Sequence, residues 1–206
     1  MDGPARLDTL STRPIPALED YEPFRWHERL SLWRIQDSSP QFSVRRYPEP
    51  KYRFDAPSGE YATVYTNSSD IGTFAEVYRM ERRGRLGPAE GERYLVEITT
   101  TESLPLIDLT DVRLLSALRL DDRISTGDHY DICRAWALAF HQDRVDLCGI
   151  RYWPRKAGRD STNIVLFAER CSAFVSVASA NKLKYMEGTV LTAADLYDLV
   201  VKFRFE

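Results

Sequence analysis

The sequence predicts an α+β protein. Segments of alternating or β-branched character outnumber amphipathic ones, and the two kinds do not follow each other as regular strand–helix–strand units. Neither G-x-G-x-x-G nor G-x-x-x-x-G-K-[ST] occurs, so a Rossmann or P-loop nucleotide site is not supported. With 43% hydrophobic and 29% charged residues over 206 positions, the chain suits one globular domain plus a tail.

The elements follow in order. Residues 1–25 hold Pro4, Pro14, Pro16 and Pro23 and read as an extended arm, on the body or on a partner. Residues 26–206 read as a single domain. Its first strand is the alternating run Leu30 to Ile35. A proline-containing loop with the pair Arg45-Arg46 then leads to Tyr52-Arg53-Phe54-Asp55. Ala62 to Thr66 is β-branched and aromatic, hence strand. Ser68, Ser69 and Asp70 offer helix caps, and Ile71, Phe74, Ala75 and Tyr78 fall on one helical face. A charged loop at 82–91 precedes strands at 93–101 and 104–109 and a short helix at 111–118. The strongest helix, 129–142, gathers Ile132, Cys133, Trp136, Ala139 and Phe140 on one face. Strands are expected at 147–152, 163–167 and 174–178. Residues 193–205 begin as helix and end in an alternating run of ambiguous type.

Charge and composition exclude several functions. The formal net charge of −3 gives no broad cationic field for nucleic acid or an anionic membrane. Cys133, Cys148 and Cys171 form no C-x-x-C pair, and Cys133 and Cys148 read as buried thiols. His27, His129 and His141 make no H-E-x-x-H, so no metal site is expected. The N-terminal residues lack an apolar core of signal-peptide length, and no run reaches the ~20 apolar residues of a membrane span. A cytoplasmic protein is expected.

Four side chains stand out from their surroundings: Arg34 inside an apolar strand, Arg53 between Tyr52 and Phe54, Tyr65 at a strand end, and Glu76 beside the apolar face of the next helix. Each alone has an ordinary structural explanation. Arg34 could snorkel, Arg53 could stack on its aromatic neighbours, Tyr65 could be a core residue, and Glu76 could pair with Arg79. Their order along the chain is what gives them weight.

In that order, LWRI around Arg34, YRFD around Arg53, ATVYTNSSDIGTFAEVY with Tyr65 and Glu76, HYDICRAWALAFHQDRVDLCGIRY, and NIVLF resemble the RES domain family over about residues 30–178. There are two departures. Tyr52 stands where the family has glycine, and Pro154, in Tyr152-Trp153-Pro154-Arg155, stands where it has its serine. Proline offers neither hydroxyl nor N–H. Ser161, seven residues on, is the candidate replacement hydroxyl.

The resemblance implies a mono-ADP-ribosyltransferase-like split β core with flanking helices and an NAD+ cleft between two small sheets. It also implies a toxin that cleaves the nicotinamide–ribose bond of NAD+, by phosphorolysis or hydrolysis. NAD+ is then substrate rather than cofactor, with inorganic phosphate as co-substrate if the cleavage is phosphorolytic. A helix-turn-helix, Xre-like antitoxin is the expected partner, in a homodimer or a toxin–antitoxin oligomer. In such a site arginines would bind the pyrophosphate in fork geometry, for which Arg34 and Arg53 are candidates, with Arg155, Arg151 and Tyr152 beside them. Tyr65 would stack on nicotinamide, and Glu76 would stabilise the oxocarbenium-like ribose. The alternatives are an ADP-ribosyltransferase acting on a protein, and a catalytically silent NAD+-binding domain.

Overall fold

A computed structural model describes residues 18, 20–27, 31–37, 49–79 and 84–206. The Arg45-Arg46 pair, Leu30 and most of the arm fall outside them. Among the described residues the main sheet has eight strands: β1 (Phe24–Trp26), β2 (Leu32–Gln36), β3 (Thr63–Asn67), β5 (Tyr94–Thr100), β6 (Leu104–Asp108), β7 (Gly149–Tyr152), β8 (Asn163–Phe167) and β9 (Val175–Lys182). Their order is β1-β6-β7-β8-β3-β2-β5-β9, and β4 (Arg85–Leu86) pairs separately with β10 (Val200–Val201). The helices are α1 (Asp70–Tyr78), α2 (Pro88–Gly91), α3 (Val112–Ala117), α4 (Arg123–Thr126), α5 (Tyr130–Asp143), α6 (Ala168–Cys171) and α7 (Glu187–Tyr197). The chain is thus mixed α+β, with a curled sheet flanked by helices.

The sheet is continuous but pinched. β3 and β8 pair over five residues, from Thr63↔Phe167 to Asn67↔Asn163, and β2 and β5 also pair over five. Between β2 and β3 the register contains a single pair, Trp33↔Asn67. The expected split core therefore takes the form of five strands and three strands joined at one point. Tyr152 pairs with Asn163 on the next strand. Tyr152, Asn163, Asn67 and Trp33 accordingly form one transverse row across β7, β8, β3 and β2.

β8 explains how the sheet sits in the core. All five of its residues, NIVLF, are buried. Alternation sends Val165 and Phe167 to a core with Phe54, Leu114, Phe140 and Ile150, and sends Ile164 and Leu166 to a second core with Leu32, Val64 and Leu106. A third core forms where α1 and α7 contribute Phe74, Val190 and Ala193 against Leu95 of β5. α5 lays Cys133, Ala137 and Phe140 on the first core. All three cysteines are free and buried. Burial pushes their thiols up, that of Cys171 to about 12.

Of the two placements expected for the end of the arm, the structure shows it on the body. Leu18 is 1% exposed in the first core, and the Tyr21 hydroxyl accepts from Asp108 N at 2.9 Å. β1 pairs antiparallel with β6. The end of the predicted arm is therefore part of the body. Proline density argued against helix there, but not against an edge strand, which tolerates missing donors.

Candidate active site

A cleft of about 440 Å³ is lined from both sides of the pinch, by Trp33, Arg34 and Ile35 of β2 and by Thr63, Tyr65, Thr66 and Asn67 of β3. Tyr52, Arg53, Glu76, Tyr130, Tyr152, Arg155 and Asn163 also line it. Six of the eight site residues expected from sequence, Arg34, Arg53, Tyr65, Glu76, Tyr152 and Arg155, meet there. Arg93 and Lys156 add two further basic residues, and among the described residues Glu76 is the one acidic member of the wall. A cleft of this size suits a small molecule, and its charge suits an anionic one.

Glu76 projects from α1, whose first turn is built by Ser69. The Ser69 hydroxyl accepts from Gly72 N at 3.1 Å. Glu76 is half-buried and does not pair with Arg79, whose Nη1 donates instead to Lys156 O at 2.5 Å. Its Oε1 accepts from Lys156 N at 2.8 Å, and its Oε2 accepts from Asn163 Nδ2 at 2.9 Å. Both oxygens are thus held by donors from the β7–β8 side.

Tyr65 has two ends with different roles. Its hydroxyl donates to Asp55 Oδ1 at 3.1 Å and accepts from Phe54 N at 2.9 Å. Burial, with the Asp55 carboxylate second, holds the phenol well above its usual range. Asp55 also accepts from Lys51 N, Tyr52 N and Thr63 Oγ1. The hydroxyl therefore anchors the loop that carries Arg53, and the ring, 5.4 Å from that of Tyr52, faces the cleft.

Arg53 is buried, and its guanidinium is largely taken. Nη1 donates to Ile124 O at 3.2 Å and lies 3.3 Å from Cys133 Sγ, while Nη2 donates to Gly127 O at 2.6 Å. It also sits 4.8 Å from the Tyr130 ring centre. These contacts satisfy carbonyls at the end of α4, so Arg53 brings charge to the cleft but not the open fork expected of it. Arg155 Nη2 pairs with the exposed Asp128 at 2.7 Å. The Tyr152 hydroxyl is pushed up chiefly by burial, with the Glu76 carboxylate second. Its ring stands edge-on to Phe54 at 4.8 Å.

Two expected residues lie elsewhere. Ser161 is buried beside the first turn of α1, its Oγ 2.6 Å from where a Cβ on Gly72 would stand, and it is not in the cleft wall. The turn before β8 folds under the helix rather than over the opening. Arg151 points to the other face of β7, where it pairs with Asp108 at 2.9 Å and stacks on Phe24 at 4.3 Å. Pro154 is buried and outside the wall. Sequence reasoning missed Asn67, Asn163, Tyr130 and Arg93. Asn163 was visible as the polar first residue of an otherwise apolar strand. Among the described residues no group of three His, Cys, Asp or Glu could hold a metal ion, and no helix is long and apolar enough to cross a membrane.

The fold and cleft define an α+β protein that presents one anchored carboxylate to a cationic, aromatic-walled small-molecule site. The chain belongs to the RES domain family, whose profile matches residues 31–186. In fold it is similar to a chain of the crystal structure of the M. tuberculosis MbcT–MbcA toxin–antitoxin complex, with a TM-score of 0.65 and 18% sequence identity. That match covers 94% of this chain and 100% of the other. No curated protein matches the sequence.

Proposed function

We propose that this protein is the toxin of a toxin–antitoxin pair and cleaves the nicotinamide–ribose bond of NAD+. The observation that carries the reading is the Glu76 carboxylate, fixed by two donors in a cleft that it shares with Arg34, Arg53 and Arg155. Departure of neutral nicotinamide leaves positive charge on the ribose, and a fixed carboxylate beside it stabilises that charge without reorganising. The arginines favour the anionic pyrophosphate. The Tyr65 and Tyr52 rings, tilted 57° to each other, supply an aromatic wall for nicotinamide. Attack by phosphate gives ADP-ribose 1″-phosphate and nicotinamide; attack by water gives ADP-ribose, nicotinamide and a proton. A helix-turn-helix antitoxin is the proposed partner, consistent with the toxin–antitoxin complex named for the structural relative.

The test is incubation of the purified protein with NAD+, with and without phosphate. Free nicotinamide is expected, and Glu76→Gln should release at least about 100-fold less. Folded protein that consumes no NAD+ in either buffer would eliminate the reading. Label from NAD+ retained on protein would assign the chemistry to protein ADP-ribosylation instead.

A further inference from the structure

Glu76 is oriented by a chain of amides that starts outside the cleft. Ser69 N donates to Asn67 Oδ1 at 2.8 Å, Asn67 Nδ2 donates to Asn163 Oδ1 at 2.7 Å, and Asn163 Nδ2 donates to Glu76 Oε2 at 2.9 Å. Both asparagines are buried, at 2% and 4% exposure, and they face each other as the last register pair of the β3–β8 ladder.

The direction of this chain follows from chemistry. A side-chain amide can be turned over, exchanging donor and acceptor. A backbone N–H can only donate. Ser69 N therefore requires oxygen at the near end of Asn67, which leaves its NH2 for Asn163. Asn163 must then accept with its oxygen and donate with its nitrogen, and what it meets is Glu76. No other assignment of the two amides satisfies every member, and a buried amide facing its like would be costly.

We propose that Asn67 and Asn163 are positioning residues that fix the Glu76 carboxylate, with their polarity set by the first turn of α1. The proposal rests on the reading of Glu76 as the group that acts on NAD+. A purely structural role would make the pair an ordinary satisfied polar contact, and the two roles separate at Asn67→Asp. The substituted carboxylate keeps an oxygen for Ser69 N but has no hydrogen for Asn163. The Asn163 amide must then turn over, placing its oxygen against Glu76.

The experiment compares wild type, Asn67→Asp and Asn163→Ala, all checked for cooperative melting. Asn163→Ala removes the last donor together with the acceptor of Asn67 Nδ2 and introduces no buried charge, so it decides the question if burial of a carboxylate unfolds Asn67→Asp. The rate of nicotinamide release at saturating NAD+ should fall about 100-fold, the scale of a small misplacement of a reacting group, with KM changed less than about threefold. Unchanged kcat in either folded variant overturns the proposal. An independent readout is the Asn163 side-chain NH2 resonance pair, expected to be slow to exchange in wild type. It should shift and lose protection in Asn67→Asp and in Glu76→Ala. If wild type releases no nicotinamide, NAD+ cleavage is discarded and the resonances decide. Coupling to both sites supports the relay, and indifference to both sinks it.

Discussion

Arg53 and His141 show how far a side chain's environment redirects its chemistry. Arg53 is a cation in a cation-rich cleft, yet its nitrogens close the end of α4 on the carbonyls of Ile124 and Gly127. His141, near the end of α5, stacks on Tyr61 at 4.6 Å and meets Phe167 edge-on at 5.0 Å. Burial, aided by the Arg170 guanidinium, lowers its pKa from 6.5 to about 4. Between those values the unfolded chain binds a proton that the native protein refuses, so stability falls as pH drops from 6.5 towards 4. Below that window the loss is complete, and above it there is none. Urea midpoints at pH 7 and 4.5 should differ less in His141→Gln than in wild type. An equal difference would show that the imidazole takes no part. The sequence showed a histidine late in a helix but not the aromatic stack, because Tyr61 and Phe167 come from distant segments.

At the scale of elements, α1 is where local and tertiary preferences conflict. Glycine inside a helix normally costs about 0.5–1 kcal/mol relative to alanine. Gly72 is kept at that cost because a Cβ there would lie 2.6 Å from both Asn67 Oδ1 and Ser161 Oγ. Gly72→Ala should therefore destabilise the protein by about 1–3 kcal/mol in urea unfolding, through overpacking. Gly188 in α7, whose Cβ would meet nothing within 4 Å, is the internal control, and Gly188→Ala should stabilise modestly. Gain at both positions would refute the close-packing account. Periodicity placed α1 and α5 well. It missed α2, α4 and α6, four residues each and too short to show a period, and it began α7 six residues late because the Glu187–Leu191 stretch has no clear apolar face.

For the whole molecule, the sequence order of short motifs located the cleft better than any single residue did. Arg34, Tyr65 and Glu76 lie on β2, β3 and α1, which adjoin each other, so their order along the chain reflects their proximity in space. Ser161 failed as a candidate because its placement depends on how a turn packs under a helix, which spacing does not encode. Whether the segment before residue 26 lies on the body or on a partner was open for a related reason: only the folded sheet reveals the β6 edge that β1 covers. If the preceding segment is integral, Leu18→Ala should cost about 2–5 kcal/mol, a value typical of a fully buried leucine. A change under about 0.5 kcal/mol in chemical denaturation would show that the segment merely rests on the body.

Among the described residues, Trp33↔Asn67 is the single register pair between the two parts of the sheet, and this has a mechanical consequence. Asn67 is at once the weld between those parts and the second link of the chain that steers Glu76. A guest wide enough to pry the parts asunder would load that weld first and turn the carboxylate out of alignment. In such a molecule, tolerance for oversized guests and retention of reactivity oppose each other through one asparagine.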